Sequence, residues 1–109
     1  MEMAFEIVED TTGELPVVAV RGEIDIVTAP KLQDALLSSF NASSPRGVVD
    51  LSEVTFLDST GLSVLVTAQK QCRDFGGGLE LVITSDAVLR VFEITGLAQH
   101  FDIVERRTQ

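Results

Sequence analysis

The chain has little of what most catalysts are built from. Its 109 residues include one cysteine, one histidine, and no tryptophan or tyrosine. A single cysteine, Cys72, cannot close an intramolecular disulfide, which fits a reducing compartment. Zinc-type ligation needs several Cys or His at fixed spacing, and that spacing is missing. A catalytic triad needs a histidine oriented by a partner, whereas the lone His100 beside Phe101 reads as a surface or boundary residue. Positive charge is scarce as well. Eight basic residues against seventeen acidic ones leave a formal charge of −9. That argues against a surface that binds nucleic acid by replacing counterions and against docking on anionic lipid. A basic protein partner is favoured instead. The longest apolar runs, such as "LPVVAV", fall far short of the ~20 residues of a membrane helix. The N-terminal "MEMAFEIVED" carries acids where a signal peptide has a basic region. The expected location is the cytoplasm, with no nucleic acid and no membrane as partner.

What is present is an ordinary globular balance, 45% hydrophobic and 23% charged, enough to build a core. The length predicts one domain spanning residues 1–109. "AFEIVE" alternates as a half-buried strand does, and "DTTGELP" supplies a turn. "VVAVRGEIDI" is a β-branched strand interrupted near Gly22. Thr28 is placed to cap a helix, with Pro30 tolerated in the first turn. Leu32, Ala35, Leu36 and Phe40 share one face of that helix. "VVDL" reads as a short strand buried on both sides. A second helix is predicted from near Ser59 to about Phe75, with Leu62, Leu65, Val66 and Cys72 facing inward. "GGG" at 76–78 stops it, since glycine adopts the left-handed C-cap cheaply. "LELVI" is a strand. Ser85 caps a third helix whose Val88, Val91 and Phe92 face one way, and "HFDIVE" is a final strand. The order β-β-α-β-α-β-α-β predicts an α/β fold: a mixed, mostly parallel sheet of about five strands, with helices packed on it.

Few chemistries survive inspection. The triple glycine lacks the Gly-Lys-Ser/Thr of a phosphate loop and precedes a strand rather than a helix. The Gly-x-Ser-x-Gly elbow is absent, and a hydrolase using Ser59 would have no oriented base. Asp50 and Asp58 stand on separate elements and make a poor cation site. A phosphoaspartate receiver would need further acids at its first strand to hold Mg²⁺, but here Glu9 and Asp10 run into a turn. The sequence predicts no catalytic residue, no metal set and no cofactor.

"FLDSTGLSVL", residues 56 to 65, is different. Asp58, Ser59, Thr60 and Gly61 stand where a buried strand hands over to a helix. Capping is the ordinary use of such residues. The same helix start, with its free N–H groups and dipole, also favours a phosphate. Position alone leaves both readings open.

Three ordered pieces resemble one family. "DLSEVTFLDSTGLSVLV" is similar to the signature of the anti-sigma factor antagonists (anti-anti-sigma factors), whose fold is the STAS domain. "VAVRGEIDIVTAPKLQDAL" resembles their Gly-Glu-Leu-Asp segment and first helix, and "VFEITGLAQHFDI" their third helix and last strand. The resemblance covers nearly the whole chain. It implies helices largely on one side of the sheet and a role in transcription regulation by partner switching. The unphosphorylated antagonist binds an anti-sigma factor and frees the sigma factor. That anti-sigma factor is a histidine-kinase-like ATPase acting as a serine kinase, and a PP2C-type phosphatase reverses its action. By the same matching, Ser59 is the phosphoacceptor and Thr60 a second candidate. Asp25 and Asp58 belong to the partner-facing surface, and Gly61 allows close approach. The alternative within the family is a non-switching scaffold in a transporter-associated or stress-sensing complex. Some relatives add a C-terminal helix after the last strand, whereas "ERRTQ" here predicts at best a short turn.

Overall fold

The computed structural model describes residues 5–105. Two strands come first, β1 (Glu6–Asp10) and β2 (Val17–Ile24), followed by α1 (Ala29–Ser39) and β3 (Arg46–Leu57). Then come α2 (Ser59–Asp74), β4 (Gly78–Val82), α3 (Asp86–Ile94), a 3₁₀ turn at Ala98–His100, and β5 (Asp102–Val104). β1 pairs antiparallel with β2, the remaining neighbours are parallel, and the sheet order is β1-β2-β3-β4-β5. When parallel strands are added in unbroken order through right-handed crossovers, every crossover helix lands on the same face of the sheet. The packing agrees. The main core joins Val18, Val20, Val49, Leu51 and Leu81 of the strands to Leu32, Leu36, Leu62, Leu65, Val88 and Phe92 of the three helices. A separate small cluster of Val17, Val48 and Val82 lies on the opposite face, with no helix residue in it. An order without reversal has no internal switch point between strands, so a receiver-like doubly wound arrangement is excluded. No helix among the described residues is long and apolar enough to cross a membrane.

Three details differ from the sequence expectation. β3 runs over 12 residues rather than stopping after "VVDL". Its register with β2 shifts between Ala19 and Arg21 and again between Gly22 and Glu23, and pairing then continues to Ile24 opposite Leu57. Thr28 opens α1 but makes no side-chain cap. Its hydroxyl instead turns back, donating to the Glu23 carbonyl at 2.9 Å and accepting from the Asp25 amide at 2.9 Å. His100 lies in the 3₁₀ turn rather than in β5. Residues 106–109, where a closing turn is expected, lie outside the described residues, as does Ala4 of the first predicted strand.

The far end of α2 is pinned to the sheet. Gln69 is buried, and its amide accepts from the Leu79 N–H at 2.7 Å and donates to the His100 carbonyl at 2.6 Å. Arg73 donates to the same carbonyl at 3.1 Å. Cys72 is buried on the inner side of the helix, and burial pushes its thiol pKa up. Gly76 follows at φ +83°, the left-handed conformation that ends a helix at glycine.

Candidate functional site

The site lies where β2 and β3 end side by side. Ile24 and Leu57 are ladder partners, and the Asp58 amide donates to the Ile24 carbonyl at 3.2 Å. The 25–28 loop that leaves β2 and the Asp58 junction that leads from β3 into α2 are therefore held next to each other. Asp58 has extended backbone and is the N-cap of α2, its Oδ1 accepting from the Gly61 amide at 3.0 Å. Its carbonyl accepts from the Leu62 amide at 3.0 Å.

This arrangement divides the work among the four motif residues. Asp58 does the capping, so Ser59 is not needed for it. Ser59 occupies the first helical position and is exposed, and its hydroxyl has no hydrogen-bond partner among the described residues. Thr60 is half-buried. The Ser59 and Thr60 amides are likewise without acceptors among the described residues, so the positive end of a 16-residue helix faces outward beside the hydroxyl. Gly61 faces the other way, into the fold. It is buried, and a β-carbon there would lie 2.4 Å from Cγ2 of Ile24 and 2.7 Å from Cδ1 of Leu57. Gly61 thus seats the first turn of α2 against the sheet; it offers no exposed surface of its own.

Asp25 is half-buried and organises the neighbouring loop. Its Oδ1 accepts from the amides of Val27 at 2.9 Å and Thr28 at 3.0 Å. Three exposed apolar side chains that the sequence does not single out lie on this loop and the adjoining strand: Ile26, Val27 and, on β3, Phe56, the ladder partner of Glu23. Ile26 read as the tail of a strand, and nothing in its type distinguishes an outward aliphatic residue from a buried one. On the other flank of Ser59, an open concavity of about 330 Å³ runs along α2 between Leu62, Ser63, Val66 and Leu97. Val66, expected to point inward, is half-buried at its edge. Asp50 is on the sheet face away from the helices, paired in the ladder with Ala19 and Val82. It does not join Asp58 in one site. His100 is exposed and distant in the fold, at the opposite end of α2 beside Gln69 and Arg73.

An unbroken five-stranded order, helices on one face, and an Asp-Ser-Thr-Gly helix start at the sheet's rim define a STAS-type domain. The family profile described as "Mlab, STAS domain" matches residues 7–105. The Anti-sigma-B factor antagonist of Listeria monocytogenes is 42% identical over 96% of this chain and 89% of its own length. The protein of the same name from Bacillus subtilis is 37% identical over 79% of this chain and 78% of its own length. Among solved structures, an anti-sigma factor antagonist from Mycobacterium paratuberculosis superposes with a TM-score of 0.82 at 32% identity, covering 94% of this chain and 87% of that one. The chain belongs to the anti-sigma factor antagonist family of STAS domains.

Proposed function

We propose that the unphosphorylated chain binds an anti-sigma factor, frees the sigma factor that protein holds, and is released when Ser59 is phosphorylated. The bound anti-sigma factor is itself the kinase, a histidine-kinase-like ATPase. In the transfer, the Ser59 hydroxyl oxygen bonds to the γ-phosphorus of ATP and the bond to the β-phosphate oxygen breaks. ADP departs, and the hydroxyl proton passes to a base on the kinase. A PP2C-type phosphatase hydrolyses the phosphoserine and resets the chain. The chain is the substrate in both steps and contributes no catalysis of its own.

The observation that carries this reading is the division of labour at the helix start. A serine kept there only as a cap would spend its hydroxyl on an amide, but Asp58 already fills that role and leaves Ser59 exposed. The relatives' shared name as antagonists of an anti-sigma factor supplies the partner. Thr60, half-buried, is the less accessible hydroxyl. A scaffold that never switches has no use for an accessible acceptor at this helix start, next to Asp58 and to the adjoining Asp25 loop that we place on the partner-facing surface. The test is incubation of the purified chain with anti-sigma factor and ATP, followed by phosphopeptide mapping. One phosphate on Ser59 is expected, and none with ATP alone. Phosphate found only on Thr60 would reassign the acceptor, and none on either would return the chain to the scaffold class.

A further inference from the structure

Ile26 is 72% exposed and Val27 77% exposed. Isolated exposed apolar residues are ordinary on soluble proteins, and Phe75 and Ile94 are examples here. The 26–27 pair differs because the loop that presents it is fixed. The Val27 and Thr28 amides donate to Asp25 Oδ1, and the Asp25 amide donates to the Thr28 hydroxyl. That hydroxyl donates to the Glu23 carbonyl, and the Ala29 amide donates to the Asp25 carbonyl at 2.8 Å. Five hydrogen bonds hold two aliphatic side chains out in water. The ordering cost is met on folding rather than on association, which favours binding. The loop also adjoins the acceptor, through the bond from the Asp58 amide to the Ile24 carbonyl. Glu23 and Asp25 precede the pair in the chain, Asp58 stands at the adjoining helix start, and the chain carries a formal charge of −9.

We infer that Ile26 and Val27 form the docking anchor for the kinase that phosphorylates Ser59, and that they enter an apolar cleft on it rimmed by Lys or Arg. This rests on the reading of Ser59 as acceptor. A protein that brings the γ-phosphate of ATP to Ser59 must cover this rim of the sheet. The neighbouring acids favour a basic surface, and a few central, desolvated side chains supply most of an interface's binding.

The test compares wild type, the double variant Ile26→Ser/Val27→Ser, and the conservative pair Ile26→Val/Val27→Ile. The probe is purified anti-sigma-B factor of Listeria monocytogenes with ATP, and the readout is Ser59 phosphorylation. The serine variant is expected to raise KM by about tenfold or more while kcat stays within about twofold, the mark of lost binding rather than lost chemistry. The conservative pair should match wild type, and all three should melt within a few degrees of each other. An unchanged KM in the serine variant, with wild type phosphorylated, overturns the anchor and leaves the Ser59 reading standing. If neither wild type nor variant is phosphorylated, the Ser59 reading falls and the anchor with it. Self-association of wild type in sedimentation, abolished in the serine variant, would assign the pair to a second copy of the chain and overturn the kinase as occupant.

Discussion

Gly61 and Ile24 are in such close contact that a single added carbon does not fit: a β-carbon on Gly61 would sit 2.4 Å from Cγ2 of Ile24. Ile24 is fully buried at the end of β2, so its side chain has no open space into which to withdraw. The pair sets how closely the first turn of α2 approaches the sheet, and so where Ser59 stands at the rim.

Gly61→Ala is therefore expected to destabilise the fold, although alanine is the better helix former by about 1 kcal/mol. Overpacking a tight core contact costs about 1–3 kcal/mol, so a net loss of up to about 2 kcal/mol should remain. For a domain of this size each kcal/mol lowers Tm by about 4–8 °C. Thermal unfolding followed by circular dichroism checks it, and a variant that melts at or above wild type would show that Ile24 yields freely.

Asp58 has two separable roles, a cap and a charge. Asp58→Ala removes the acceptor for the Gly61 amide and should cost about 0.5–2 kcal/mol of stability. Asp58→Asn keeps an oxygen in the same place and should unfold in denaturant at nearly the wild-type midpoint. Any loss of anti-sigma factor binding in the asparagine variant then reports the charge alone.

Much of this site is legible in the sequence. The start of α2 is marked because apolar helical spacing begins directly after Asp-Ser-Thr-Gly, and the structure starts the helix at Ser59. The one-sided helix layer follows from the β-α alternation once the strand order is unbroken. The length of β3 was hidden for a physical reason. Glu53 and Thr55 are exposed strand residues, and outward positions of a sheet with a helix layer on one face only tolerate the polar residues of a loop. The cap at Thr28 failed because its hydroxyl had a nearer use, joining Asp25 and Glu23. Ile26 and Val27 are not legible as surface residues because aliphatic type ordinarily signals burial, and only the folded loop shows them facing water.

Glu80 carries a pH signature away from the site. It is the ladder partner of Asp102, and one carboxylate oxygen is buried without a hydrogen-bond partner among the described residues. Burial first, and the negative charge of Asp102 second, raise its pKa. A carboxyl whose pKa is higher in the folded state penalises that state when ionised. The penalty is fully present above the folded pKa and disappears as pH falls through it and below the unfolded value. Glu80→Gln should accordingly melt higher than wild type at pH 7, with the gain shrinking towards zero as the pH is lowered through the carboxylate range. A gain that is constant with pH, or a loss at pH 7, would mean that the charge is not what strains this position.

Phosphorylation of Ser59 is expected to break the partner interface and leave the fold intact. A phosphate adds about −1.5 to −2 charges at neutral pH. Within the domain that charge meets the outward end of α2, favourable by roughly 0.3–1 kcal/mol near a surface. Asp58, the preceding residue, repels it, so the two local effects largely cancel. Ser59 is exposed, so no core contact has to give way to the new group. On the proposed reading the phosphate fills space the partner needs at the docking surface, and attraction to basic residues on that partner does not make room for it. Disrupting one buried charged contact at an interface costs about 2–5 kcal/mol, and each ~1.4 kcal/mol is tenfold in affinity. Ser59→Asp should thus bind the anti-sigma factor at least about tenfold more weakly, while Ser59→Ala should bind like wild type but resist release when ATP is added. Both should melt within a few degrees of wild type. Titration calorimetry against the anti-sigma factor, with and without ATP, reads the first pair of outcomes and a thermal scan the second. An aspartate variant that binds normally, or one that unfolds, would sink the mechanism.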